Sequence, residues 1–492
     1  MAIPQSMTQP RPWVAMLMFL LATVFVIALV SSDQYTSTAL PLSFWAQARM
    51  TWFPYKMTVL VLLLAIAAAC VHYFARKAPD IHVLLIVATL IALQTNGIKL
   101  GALNLITLLP FLVILFLLAE SLRNPAFQIA LPGVMFFGLL LLLLDIPFLA
   151  APHIYGPPRF IINFISILKA VLVAFTLVNL LRTERHLAIA IRAFMVVAFV
   201  SASIGVAQVI VHRFTGATLS FAPEQATWKP GTPVRATGLT TWPSWVSDFL
   251  VLALPFLLFR LFNARSFRWR AAYLFATIVL LAAIYFTATY AAFFAAGVIF
   301  VMFPFLYWPR RSVHFLVTLI LAAGLFQVAG GFKWAYERGL TRVMQSTGVV
   351  ERTVYLQSTV NQIARDPWIG AGIYAEEEFS ENFYRKRVHN TGLQAWAYLG
   401  LPGLLVFLAM MLTMLTQLWL MACASRGQDR QMFQALGLGV IASIVEMFAE
   451  PNLTTAITWF HLGLCQGALI VYCTWRYPRP STPISGATIH PA

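Results

Sequence analysis

The sequence predicts an all-α fold, a polytopic transmembrane helical bundle of about 14 spans with a partly helical loop on its outer side. Three observations predict it. Hydrophobic residues make up 60% of the 492-residue chain and charged residues only 10%, a balance that excludes the soluble globular classes. Apolar windows long enough to cross a hydrocarbon core roughly 30 Å thick recur along the chain. Basic residues collect in alternate connections, as the cytoplasmic loops of membrane proteins require. The 33 Lys and Arg against 17 Asp and Glu would suggest a nucleic-acid partner in a soluble chain. Here topology accounts for most of them, and no nucleic-acid partner is expected. Cys70, Cys423, Cys465 and Cys473 lie in or beside apolar runs and read as small core hydrophobes, with no disulfide framework or metal spacing.

The windows run over residues 13–30, 57–74, 81–95, 101–119, 129–149, 160–181 and 187–211, which form an N-terminal transmembrane region, residues 1–211. A first outer loop, 212–244, follows. Windows at 245–262, 271–287, 290–307 and 313–331 build a central region, 245–331, and a large outer loop occupies 332–392. Windows at 393–422, 432–449 and 455–474 form the C-terminal region, 393–475, before a tail, 476–492. With the N-terminus inside, the short inner segments hold sixteen Arg and Lys and the short outer ones seven, so both termini are expected on the cytoplasmic side.

Residues 332–392 break the pattern of tight turns. The segment has eight basic and seven acidic residues and many aromatics, too polar to span and too aromatic for a disordered tether. A helix is expected from about Val349 to Ala364, ending at Asp366-Pro367 because proline disfavours helix in the residue before it. The glycines of Gly370-Ala371-Gly372 then permit close backbone approach. Arg213, Lys229 and Arg235 in the first outer loop, and Arg338, Arg342, Arg352 and Arg365 among others in the second, have no topological reason to be outside. Arg forks match phosphate oxygens, which points to an anionic, phosphate-bearing ligand. A solvated loop with internal pairs to Glu337, Glu351 and Glu376 to Glu378 explains the same composition. His389 is the only histidine in the long loop and stands where an apolar run begins. It is either a polar anchor at the membrane rim or the one side chain there suited to take a proton near neutral pH.

The run from Arg387 through His389, Asn390, Leu393, Gly400 and Gly403 resembles the His-Asn/Ser, Leu, Gly-x-x-Gly signature of the O-antigen ligase and polymerase superfamily. Glu351-Arg352 through Asp366-Pro367-Trp368-Ile369-Gly370-Ala371-Gly372 is similar to that family's Arg-bearing helix and Asp-Pro-x-x-Gly-x-Gly turn, and Arg235-Ala236-Thr237-Gly238 to its Arg-x-x-Gly segment. The three matches keep the family's order over residues 205–475. Where members carry a Ser-Arg or Ser-Lys pair, this chain has Thr287-Ala288-Thr289, so that basic role is either absent or supplied elsewhere, for example by Arg338 or Arg342.

The resemblance implies a glycosyltransferase of the bacterial inner membrane with its active site on the periplasmic side. The donor would be a glycan on undecaprenyl diphosphate, and the acceptor the lipid A core or a growing glycan, in contact with membrane lipids and with no metal or cofactor. His389 would be the catalytic base; Arg235, Arg352, Arg338, Arg342 and Asn390 would bind diphosphate or substrate. O-antigen ligation is the first reading and polymerisation of lipid-linked repeats the second. A lipid-linked glycan flippase is the alternative from another class, and it would show a duplicated half that this sequence lacks.

Overall fold

The computed structural model describes chiefly residues 80–95, 99–124, 127–149, 157–216, 234–308, 347–370 and 389–476. They are almost entirely helical: α1 (Ile81–Gln94), α2 (Leu105–Arg123), α3 (Gly133–Leu149), α4 (Pro157–Leu180), α5 (Glu184–Thr215), α6 (Pro243–Asn263), α7 (Phe267–Thr287), α8 (Tyr290–Tyr307), α9 (Thr347–Arg365), α10 (Thr391–Ala424), α11 (Gly427–Met447) and α12 (Ala456–Arg476). Extended pairing among the described residues is confined to two dipeptides, Lys99–Leu100 and Leu103–Asn104. The expected spans at 13–30, 57–74 and 313–331 lie outside the described residues, as do most of both outer loops. Every other expected span coincides with a helix. Six helices, α5, α6, α7, α8, α10 and α12, are long and apolar enough to cross a membrane, and shorter apolar helices lie within α1 to α4.

Local chemistry sets where these helices start. Asp80 accepts the His82 amide at 2.9 Å ahead of α1, Thr183 accepts the His186 amide at 3.2 Å ahead of α5, and Ser266 caps α7, each satisfying an N–H that helix geometry leaves orphaned. Helix α6 starts instead on Pro243, whose fixed φ suits a first turn.

The chain divides into two compact units, residues 1–128 with 190–300 and residues 129–189 with 301–492. In the first, α6 is the central helix, buried almost continuously from Val246 to Phe259. Phe194 of α5 packs edge-on against its Phe249 with ring centres 4.7 Å apart, and α7 lies along it. In the second, α12 lies along α4, and α10 packs against α3 and α11. A Cβ on Gly463 would stand 2.8 Å from Ala174, the close backbone approach by which membrane helices gain dispersion contact when lipid supplies no hydrophobic drive. Trp459 is buried at this junction, its indole donating to the Leu453 carbonyl at 2.8 Å.

Candidate active site

The start of α10 is tied to the end of α11 through side chains of three consecutive residues. Asn390 caps the helix, accepting the Leu393 amide at 2.9 Å, and its amide nitrogen donates to the Phe448 carbonyl at 3.3 Å. Thr391 donates to the Glu450 carbonyl at 2.7 Å and accepts the Asn452 amide at 2.8 Å. His389 places Nδ1 3.6 Å from the Glu450 carboxylate. That nitrogen is buried and makes no hydrogen bond, while the side chain as a whole is 28% exposed, so its accessible surface belongs to atoms other than Nδ1. A separation of 3.6 Å is longer than a hydrogen bond but is an ion-pair distance once the ring gains a proton. The arrangement suits an imidazole that takes a proton on its open edge and is then stabilised from behind by a carboxylate.

The same helix is broken at Gly400, about three turns beyond His389, and the break is repaired by the end of α9. Gly400 has φ 68° and ψ −173°, a region essentially restricted to glycine. The break prevents the Leu401 N–H from reaching the Ala397 carbonyl, its partner in a regular helix. Leu401 donates instead to the Pro367 carbonyl at 2.9 Å, and Ala397 accepts from the Gln362 amide at 3.3 Å. The Trp396 indole adds a second bond to Pro367 at 2.9 Å. Gly370, itself at φ 77°, lies so close that a Cβ there would meet the Gly400 nitrogen and, at 2.6 Å, the Tyr398 carbonyl oxygen. The Asp-Pro-x-x-Gly turn and the Gly-x-x-Gly segment are thus two halves of one backbone contact, which anchors the long loop about three turns from His389.

In the first unit, Arg235 turns its guanidinium to the end of α7. Nε donates to the Thr287 carbonyl at 2.7 Å, and one terminal nitrogen reaches the Ala288 carbonyl at 3.5 Å and the Thr289 hydroxyl at 3.3 Å. Ala288 holds a left-handed conformation, φ 49°, and Ala236 donates to the Phe286 carbonyl. Among the described residues the guanidinium at the Thr287-Ala288-Thr289 turn is that of Arg235, while Arg338 and Arg342 lie outside them. Behind it Gln208 accepts the amides of Thr237 at 3.0 Å and Gly238 at 2.9 Å and donates to the Gly238 carbonyl at 2.9 Å.

Of the residues singled out from sequence, His389 and Asn390 are adjacent at the head of α10, with Asn390 already engaged at both polar atoms in fixing that helix. Arg235 is a backbone clamp at α7. Arg352 lies on α9, its side chain outside the described residues together with Arg338 and Arg342. Sequence reading missed Glu450 and Gln362. The signal for Glu450 was its place just past the end of the expected span 432–449, on the side where the sequence reading expects His389. No curated protein matches the chain. A family model described as O-Antigen ligase matches residues 275–408, from mid-α7 through α8 and α9 to the broken half of α10, and so takes in His389, Asn390 and the Gly370–Gly400 contact. Over residues 275–408 the chain is thus similar to the O-antigen ligase family, and that likeness supports a ligase- or polymerase-type membrane glycosyltransferase.

Proposed function

We propose that the protein transfers a glycan from an undecaprenyl-diphosphate carrier to a sugar hydroxyl on the periplasmic side of the bacterial inner membrane, in a bundle of about 14 spans with both termini cytoplasmic. The observation that carries this is the His389–Glu450 pair at the head of α10, inside and beside the matched domain. His389 accepts the proton of the acceptor hydroxyl, whose oxygen attacks the anomeric carbon as the bond from that carbon to the diphosphate oxygen breaks. The lipid diphosphate leaves with the bonding pair, and the anomeric centre inverts. Glu450 stabilises the imidazolium formed. Arg338, Arg342 and Arg352 offer forked donors for the charge developing on the diphosphate, Arg235 is proposed as a further substrate contact, and Asn390 holds His389 in register. No metal or cofactor takes part in this scheme.

Ligation to lipid A core is the first reading, with polymerisation of repeat units second, since both share donor and leaving group. The discriminating experiment supplies purified protein with undecaprenyl-diphosphate glycan, with and without lipid A core. Capped core identifies a ligase and longer lipid-linked chains identify a polymerase. Unaltered donor in both tubes refutes transferase activity and returns attention to a flippase.

A further inference from the structure

The corner between α6 and α7 is the most arginine-rich of the chain's short connections. Arg260, Arg265, Arg268 and Arg270 fall within eleven residues that contain no acid, and all four are exposed. None of them forms an ion pair with a described residue; Arg270 donates to the Ala264 carbonyl at 3.1 Å. Large apolar side chains stand open among them: Phe267 is 84% and Trp269 63% exposed. From Phe267 the open stripe continues along α7 through Leu274 and Ile278, a seven-then-four spacing that keeps one helical face. Cations and an apolar track therefore adjoin on a single helix.

Positive-inside topology explains a number of arginines but not bulky aromatics exposed between them. The α10–α11 connection shows the contrast, since Arg426 and Arg430 there enclose Asp429 and no aromatic. Guanidinium groups attract phosphodiesters in a leaflet, aromatic rings settle at headgroup depth, and an apolar helix face takes acyl chain. We propose that this corner is a binding site for an anionic glycerophospholipid, whose phosphate lies on Arg265 and Arg268 and whose acyl chains follow Phe267, Leu274 and Ile278. It is expected on the cytoplasmic side, and its occupant is a membrane phospholipid rather than the glycan donor.

Delipidated protein titrated with dioleoylphosphatidylglycerol and observed by native mass spectrometry tests the site. Arg265→Gln/Arg268→Gln should bind this lipid about 30-fold more weakly, a little over fivefold for each guanidinium removed. Arg426→Gln/Arg430→Gln should bind as wild type does, and dioleoylphosphatidylcholine should be retained weakly by all three. Equal loss in both double variants would reduce the effect to overall charge, and equal retention in all would remove the site. Wild-type protein gives a reading independent of variant folding: a photoactivatable phosphatidylglycerol should label the peptide containing residues 260–278 in preference to other basic connections. Even labelling across those connections overturns the proposal.

Discussion

Replacing Gly400 by alanine should undo the contact between the long loop and α10. The added Cβ would overlap the Trp368 carbonyl oxygen and stand 2.7 Å from the Ile369 carbonyl carbon, and both belong to backbone that has no rotamer by which to escape. The residue would also have to hold φ 68°, which for a side chain in this region costs about 1–3 kcal/mol. Relief requires the α9 turn to move away, which breaks Leu401 N–H to Pro367 and Gln362 to Ala397. Leaving a buried hydrogen-bonding group unmet costs about 1–3 kcal/mol each. The combined effect is roughly 3–9 kcal/mol, beyond the range of most single substitutions. Gly437→Ala in α11 is the control, for a Cβ there meets nothing within 4 Å and alanine favours a helix interior by about 0.5–1 kcal/mol. Two measurements on detergent-purified protein suffice: the thermal transition and the rate of protease cleavage within the long loop. Gly400→Ala should melt at least about 5 °C lower and its loop should be cut at least about tenfold faster, by the loss of some 1.4 kcal/mol or more of docking energy; Gly437→Ala should match wild type. A Gly400→Ala protein with wild-type melting and cleavage would refute the reasoning, because it would mean that the break tolerates a side chain.

His389→Gln should lower transfer by about 10²–10⁴-fold with donor binding kept, since Gln preserves an anchor but not a base; more than about a tenth of the wild-type rate would make His389 an anchor. Glu450→Gln should lower kcat by about tenfold or more while KM holds, as expected for a group that stabilises the charged ring, and an unchanged kcat would leave Glu450 with its backbone role alone. Arg352→Lys should be nearly as impaired as Arg352→Ala if a bidentate fork grips the diphosphate; full transfer activity in the Lys variant would reduce Arg352 to a field effect. Gln208→Met, similar in volume, should destabilise the protein by about 3–9 kcal/mol by orphaning the Thr237 and Gly238 amides and the Gly238 carbonyl, which thermal unfolding in detergent would detect.

Much of the helical order was legible because a bilayer imposes a length on every span, so hydropathy windows fall on α1 to α8 and α10 to α12. The end of α9 was legible for a second reason: Pro367 forbids continuation, and α9 closes at Arg365, one residue from where the sequence placed it. Lateral packing was not. His389 lies just before α10 and Glu450 just after α11, and hydropathy reports depth in the membrane without saying which helices touch. Arg235 shows another limit. From sequence it was a cation that could bind phosphate, and the structure adds that Nε and one terminal nitrogen bond the end of α7. An arginine bonded to carbonyls and one awaiting an anion look alike until the neighbouring backbone is in place.

Gln208 and Gln362 suggest why the glycine motifs of this chain occur beside glutamines. Each glycine creates a backbone irregularity, at Gly238 with φ 55° and at Gly400 with φ 68°, and each irregularity leaves N–H or C=O groups without regular partners. In water such groups would be hydrated, but Gly238 and Gly400 are buried, so their neighbours' groups must be met from within the protein. A carboxamide serves because it offers donor and acceptor together without charge. Gln208 uses both, accepting two amides and returning one bond to the Gly238 carbonyl. At α10 the work is divided: Gln362 donates to the Ala397 carbonyl while Pro367, whose own nitrogen carries no hydrogen, supplies the acceptor for Leu401. An acid in place of either glutamine could accept but not donate unless protonated. A lysine could donate but not accept, and either would bring a charge into the apolar interior. The broken helix and the loop that repairs it must therefore form together, because each holds the hydrogen-bonding groups the other lacks.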